Sequence, residues 1–83
     1  MIMENERIQS EGRLAITQNE TRQLEIRAKG LVRSLRGQLD PFCAVEDLNG
    51  DQVADLALQL RNILISHREK SELVAAIRKA LGR

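Results

Sequence analysis

The stretch DLNGDQVAD, residues 47 to 55, spaces its oxygen-bearing side chains as a calcium-binding loop does. The four candidate ligands are Asp47, Asn49, Asp51 and Asp55. An EF-hand loop beginning at Asp47 needs glycine at its sixth position and a bidentate glutamate at its twelfth, but Gln52 and Leu58 stand there. A shorter calcium loop of the form DxNxDGxxD also needs glycine in place of Gln52. The residues that would make the turn and complete the coordination are absent, so we expect no metal here.

The same stretch has the signals of a helix start. Asn49 is a favoured N-cap residue, and Gln52 follows three positions later as in a capping box. Leu48 and Val53 occupy the two positions of a hydrophobic staple. Asp51 places negative charge in the first turn, where the helix dipole favours it. We therefore predict that a helix begins immediately after Asn49.

His67 and Cys43 are the side chains whose chemistry best suits catalysis or metal binding. The residues three and four positions from His67 are Ile63, Leu64, Lys70 and Ser71, none of which completes a site. His67 lies about five helical turns into the second helix, far from the hinge that holds Cys43. We predict a packed or register-setting role for His67, and burial as a small apolar group for Cys43. The sequence therefore predicts no enzyme, no cofactor and no metal.

Four cationic residues recur at spacings of seven, four and three, which places them along one face of the first helix. This basic stripe consists of Arg22, Lys29, Arg33 and Arg36. Such a stripe could follow a nucleic-acid backbone, because phosphate contacts need little more than positioned positive charge. The alternative is a solvated helix surface with a Glu25–Lys29 ion pair, since no aromatic residue is interleaved for base stacking.

Composition favours one small, all-helical domain. The chain has 83 residues, of which 42% are hydrophobic and 30% charged. Helix formers dominate, whereas Phe42 is the only aromatic residue and Pro41 the only proline. The formal net charge of +1 argues neither for a nucleic-acid coat nor for an acidic tail. A single cysteine, a polar N-terminus and no apolar run of about 18 residues predict a cytoplasmic protein without a membrane partner.

The apolar pattern divides the chain into two helices joined by a hinge. The apolar face of the first helix consists of Leu24, Ala28, Leu31, Leu35 and Leu39. Upstream of residue 24 the pattern weakens, and we expect helix that is frayed or dependent on a partner. Asp40 before Pro41 ends this helix, with Gly37 as the competing stop. We predict a hairpin domain over residues 1–83, with helix one at about 4–39, a hinge at 40–49 and helix two at about 50–81.

The second helix carries an apolar arc of roughly 160°, wider than one neighbouring helix can cover, and a further pair, Leu58 and Ile65, on the opposite side. Exposed apolar surface of this extent marks an interface. We also expect the core of a two-helix monomer to be too small to stabilise the fold on its own. We predict a homodimer of antiparallel hairpins that forms a four-helix bundle, although a helix of another protein would cover the arc equally well.

The predicted interface residues are Leu56, Leu60, Ile63, Leu64, His67, Val74 and Ile77, with Leu24, Ala28, Leu31 and Leu35 packing against them.

The hinge is expected to join opposite charges. Residues 22 to 36 carry a charge of +4 and residues 40 to 55 a charge of −5, which suits the dipoles of the helix ends that they occupy. These ends are neighbours in an antiparallel hairpin, so the two segments should pair. The residues expected to cap the hinge end are Phe42, Cys43, Val45 and Leu48.

Residues 31 to 60, LVRSLRGQLDPFCAVEDLNGDQVADLALQL, resemble small uncharacterised helical proteins encoded in Mu-like transposable prophages and related bacterial genomes. The resemblance rests on a long helix, a DPF hinge and a second amphipathic helix. It implies a helical hairpin and a phage or bacterial setting. It brings no functional residue to this chain.

Overall fold

The computed structural model describes residues 4–83, which form an all-α hairpin of two long helices packed against each other. Helix α1 runs over Glu4–Gln38 and helix α2 over Gly50–Ala80, with a single turn of 3₁₀ helix at Val45–Asp47 between them. The described part of the chain contains no strand. The predicted all-α hairpin is therefore confirmed. Residues 1–3 of the predicted domain lie outside the described residues.

Helix α1 ends at the hinge through local hydrogen bonds. The Leu39 amide still donates to the carbonyl of Leu35, so Gly37, the competing stop, lies inside the helix. Asp40 then closes the turn twice: its carboxylate accepts the Phe42 amide at 2.9 Å, and its carbonyl accepts the Cys43 amide at 3.1 Å. This Asx-type turn satisfies the backbone at the point where Pro41 prevents the helix from continuing.

Both ends of α2 are capped. The Asn49 side-chain oxygen accepts the Gln52 amide at 3.0 Å, which confirms the predicted N-cap. At the other end, the Gly82 amide donates to Lys79 and the Arg83 amide to Arg78, the paired bonds of a Schellman motif. Gly82 has a φ of +79°, a conformation that glycine adopts without the steric cost of a Cβ atom. Local sequence thus defines where α2 starts and stops.

The two helices meet along a seam whose residues recur at alternating spacings of three and four, the heptad pattern of a coiled coil. Every seam residue is buried or half-buried. From α1 they are Ser10, Leu14, Thr17, Thr21, Leu24, Ala28, Leu31, Leu35 and Gln38. From α2 they are Val53, Leu56, Leu60, Ile63, His67, Lys70, Val74, Ile77 and Leu81. The seam therefore extends along nearly the whole of both helices, including the part of α1 where the apolar pattern is weak.

The hairpin is a rod only one helix pair thick. It measures 63 × 15 × 14 Å, and its radius of gyration is 18.7 Å, compared with about 12 Å for a compact domain of this length. Among the described residues the buried apolar side chains are Leu14, Ile63, Ile77 and Leu81, and no large side chain is completely buried. A side chain in a seam between two helices is covered by the helices but remains open to solvent along the flanks, so the seam cannot enclose it.

The hinge prediction was wrong in one respect, because the apolar hinge residues do not cap the hairpin. Phe42 is 94% exposed and Val45 80%, Leu48 is also exposed, and Cys43 is half-buried. The Asx turn at Asp40 and the following 3₁₀ turn are stabilised by their own backbone bonds, and they direct Phe42 away from the helices. Leu39 is 55% exposed as well, because the heptad spacing continues from Leu35 to Gln38 rather than to Leu39.

None of the helices in residues 4–83 combines the length and the apolar character needed to cross a bilayer.

Removing a seam side chain should cost far more stability than removing the same side chain from the outer surface. We expect Ile77→Ala to lower the free energy of unfolding by about 2 kcal/mol, since Ile77 is 6% exposed and the vacated space cannot fully close. The matched control is Ile26→Ala, because Ile26 is 57% exposed and alanine is the better helix former. Urea unfolding followed by circular dichroism measures the stability of both variants. Equal losses of stability would contradict the burial of Ile77 in the seam.

Candidate interaction site

The predicted interface residues of α2 mostly lie in the seam. Ile63 and Ile77 are buried there against α1. The half-buried members of the set are Leu56, Leu60, His67 and Val74. Leu64 is the exception, since it is 49% exposed and lies outside the seam. The hairpin itself thus covers part of the apolar arc and leaves the rest open on one flank.

That open flank carries an apolar groove at the hinge end. Its lining comes from both helices and the hinge: Val32, Leu35, Arg36, Gly37, Leu39, Asp40, Pro41 and Leu60. Leu64 follows Leu60 by one helical turn and extends the groove along α2. We call Val32, Leu35, Leu39, Leu60 and Leu64 the hinge-side patch. Val32, Leu39 and Leu64 are each exposed by more than two fifths, so the patch is open to a partner.

Helix α2 exposes a further apolar pair on its outer face. Leu58 is 53% exposed and Ile65 38% exposed, and they are spaced by seven residues on the outer face. The exposed Arg61 lies between this pair and Leu64, so the pair is separate from the hinge-side patch.

Two further grooves of the rod are lined mainly by polar and charged residues. On the opposite flank, one groove is lined by Asn19, Glu20, Gln23, Leu24, Arg27, Ser66 and Lys70. On the same flank as the hinge-side patch, but toward the chain ends, the lining is Gln18, Thr21, Arg22, Glu25, Ser71, Val74 and Arg78. Of these grooves, the one at the hinge end has the most large apolar side chains in its lining.

The middle of the seam is polar and held by bonds between the helices. His67 Nε2 lies 3.0 Å from Glu25 Oε1, and Lys70 Nζ lies 2.5 Å from Glu20 Oε2, on opposite flanks of the seam. On α1 the neighbouring seam positions include Thr17 and Thr21 instead of larger apolar groups. Polar contacts between the helices at fixed positions disfavour a shifted alignment, so this segment favours one register.

Sequence reasoning missed three of these seam residues. Thr17, Thr21 and Lys70 are not apolar, so a search for an apolar face passes over them. A strict test of alternating three- and four-residue spacing would have found them, because it links Leu14 to Leu24 through the two threonines and His67 to Val74 through Lys70.

The basic stripe is exposed along its whole length. Three contacts with carboxylates cross between the two arms of the hairpin in residues 4–83: His67 and Lys70 of α2, and Arg83 beyond its end, each meet a glutamate of α1. Glu25 pairs with His67, so the expected Glu25–Lys29 ion pair does not form. None of the ion pairs of the described residues joins the −5 hinge to the +4 segment, and the four cations of the stripe are exposed. The stripe is thus open to a ligand.

Comparison with protein-family models, curated proteins and solved structures gives no match.

The remaining reactive side chains do not come together. Cys43 is in the hinge, with its sulfur 3.5 Å from the Ala44 carbonyl oxygen. His67 is about 25 Å along α2 from the start of that helix and is engaged by Glu25. Residues 4–83 gather no group of three or more histidine, cysteine or carboxylate side chains around a common point. The surfaces that distinguish this hairpin are therefore the hinge-side patch and the basic stripe.

A leucine at position 70 should strengthen the hairpin. Lys70→Leu places an apolar side chain in the seam, whereas the lost Lys70–Glu20 pair is partly exposed and screened by solvent. We expect the free energy of unfolding to rise by about 1 kcal/mol. The control is Lys79→Leu, the same substitution at an exposed position, which should leave the free energy of unfolding nearly unchanged. A loss of stability in Lys70→Leu would show that the ion pair outweighs packing.

Proposed function

We propose that the protein is a non-enzymatic interaction module whose hairpins self-associate as a homodimer in a four-helix bundle. One observation carries the proposal: the seam completely buries no large side chain of the described residues, while Val32, Leu39 and Leu64 stay exposed beside it. Small domains with so limited a core commonly gain stability by oligomerising. Two hairpins stacked on their open flanks would convert the seam into a central core.

The heptad positions support such a bundle. Helices that contribute to a bundle core carry apolar residues at the two seam positions and at one flanking position. Leu56, Leu60 and Ile63 supply the seam positions of α2, and Leu64 supplies the flanking position. The half-buried members of the predicted interface would lose their remaining exposure on association, and Leu64 would change most.

The proposed setting is a phage or bacterial one, in which such a module would act as an accessory protein. This part of the proposal rests on the resemblance of residues 31–60 to helical proteins of Mu-like prophages. A helix from another protein is the alternative occupant of the same surface.

Light scattering behind a sizing column, over a range of protein concentrations, tests self-association. We expect a dimer for the unaltered chain and a monomer for Leu64→Asp, because an unpaired carboxylate in the interface is costly. Leu60→Asp should also abolish the dimer, but Leu60 belongs to the seam, so its helical content must be checked as well.

The matched control is Leu73→Asp. Leu73 is 36% exposed on α2 and lies on the flank opposite Leu64, so the dimer should persist. A dimer that survives Leu64→Asp, or a monomer at every concentration of the unaltered chain, contradicts the proposal.

A second function, nucleic-acid binding, is favoured by the open basic stripe. Arg22, Lys29, Arg33 and Arg36 are exposed and form none of the ion pairs seen in the described chain. Positive charge that no carboxylate neutralises is available to phosphates, and the resulting affinity falls steeply with salt.

Retention of duplex DNA, measured at increasing salt, tests this second function. We expect Lys29→Glu, Arg33→Glu and Arg36→Glu combined to abolish retention at low salt. The control reverses three α2 charges, Arg61→Glu, Arg68→Glu and Lys79→Glu, which changes the net charge by the same amount at exposed positions. Equal losses in both triple variants would show that net charge, and not the stripe, governs binding.

A further inference from the structure

We propose that the occupant of the hinge-side patch is the hinge-side patch of a second copy, and that the two hairpins run in opposite directions. Each hinge then lies beside the middle of the partner hairpin. The inference rests on the proposed self-association and adds to it the face and the orientation.

The exposed area supports a second copy as the occupant. The chain exposes 6593 Å², whereas a compact protein of this size would expose about 5,000 Å². The excess is larger than the roughly 800 Å² that each partner contributes to a stable interface of ordinary size. The patch is also built from both helices. A two-fold axis perpendicular to the rod, which opposite directions require, would place α1 on α1 and α2 on α2 of the second copy, so that the patch meets itself.

Polarity selects this flank over the opposite one. The grooves of the opposite flank are lined by Glu20, Arg27, Gln59 and other polar side chains, together with seam residues. Burying this flank against a second copy would desolvate the Glu20–Lys70 pair and also Arg27, which forms none of the ion pairs of the described residues. The hinge-side patch presents leucine and valine side chains, with Arg36 and Asp40 at its rim.

Charge selects the orientation. Residues 40 to 55 carry a charge of −5 and contain no basic residue. Hairpins running in the same direction would place two such hinges side by side, and like charges at close range oppose association. Hairpins running in opposite directions separate the hinges and bring each to the middle of the partner.

The middle of the same flank is suited to receive an acidic hinge. The groove beyond the hinge-side patch is lined by Arg22 and Arg78, and its carboxylate, Glu25, is already paired with His67. A two-fold axis near Leu60 and Leu64 lies about 15 to 20 Å from the hinge end of α2. The partner's hinge would then lie about the same distance beyond the axis, near Ser71 and Arg22. The position of the hinge-side patch and the distribution of charge therefore favour the same arrangement, in which the two hairpins run in opposite directions.

The native cysteine gives a direct test, because Cys43 is the only cysteine of the chain and lies in the hinge. A nitroxide label on Cys43 of the full chain allows the distance between the two hinges to be measured by double electron–electron resonance. For opposite directions we expect a distance of about 40 Å, which is twice the distance along the helix from the hinge to the two-fold axis. For the same direction, neighbouring helices about 10 Å apart would place the labels within about 20 Å.

The outcomes separate this inference from the proposed function. A distance of about 40 Å in a dimer, lost in the labelled Leu64→Asp variant, supports both. A distance within about 20 Å in a chain of dimeric mass overturns the orientation but leaves self-association intact. A monomeric mass without dipolar coupling overturns both. A dimer that keeps its 40 Å distance in Leu64→Asp overturns the choice of the hinge-side patch.

Discussion

The structure depends on one constraint, which is that two helices can form only one seam. A side chain in this seam has α1 on one side and α2 on the other, but solvent remains along both flanks. This is why Leu14, Ile63 and Ile77 are buried without being enclosed, and why the rod is 63 Å long and only about one helix pair wide. Further burial has to come from outside the hairpin, so the stability of the fold and its capacity for association have the same physical origin.

The polar segment of the seam separates two halves of the rod that differ in their packing. Around His67 and Lys70 the helices are aligned by polar contacts with Glu25 and Glu20, which favour one register but contribute little burial. Toward the chain ends, the buried cluster of Leu14, Ile77 and Leu81 uses most of the apolar surface inside the seam. Toward the hinge, apolar residues occupy a flank as well as the seam. The polar contacts that favour one register therefore lie at the centre, and the exposed apolar residues that border the seam, Val32, Leu39 and Leu64, lie in the hinge half.

Local signals in the sequence predict the helices well, whereas the surface depends on contacts between helices. Asn49 marks the start of α2 and Asp40 the end of α1, because the side chain of each accepts a nearby backbone amide. Such local signals can be recognised without tertiary information. Thr17 and Thr21 could not be recognised as seam residues by hydrophobicity, because their position comes from the heptad register. The exposure of Phe42 follows from the direction of a turn, which composition does not encode. The sequence alone places Leu39 on the apolar face of α1, because spacings of three and of four from Leu35 are both compatible with one helical face.

The two proposed functions are linked through the position of the basic stripe. Arg36 belongs to the stripe and also lines the groove of the hinge-side patch, while Arg22 lies in the groove where the partner's acidic hinge is proposed to dock. Dimerisation of this kind would partly neutralise Arg22 and leave Lys29 and Arg33, which line neither groove, facing solvent. Nucleic acid bound to the basic stripe would then compete with the partner's acidic hinge for Arg22. Its binding would favour any state in which Arg22 does not contact that hinge. Energetic coupling between the two proposed surfaces would arise from this shared cation and would require no change in the fold.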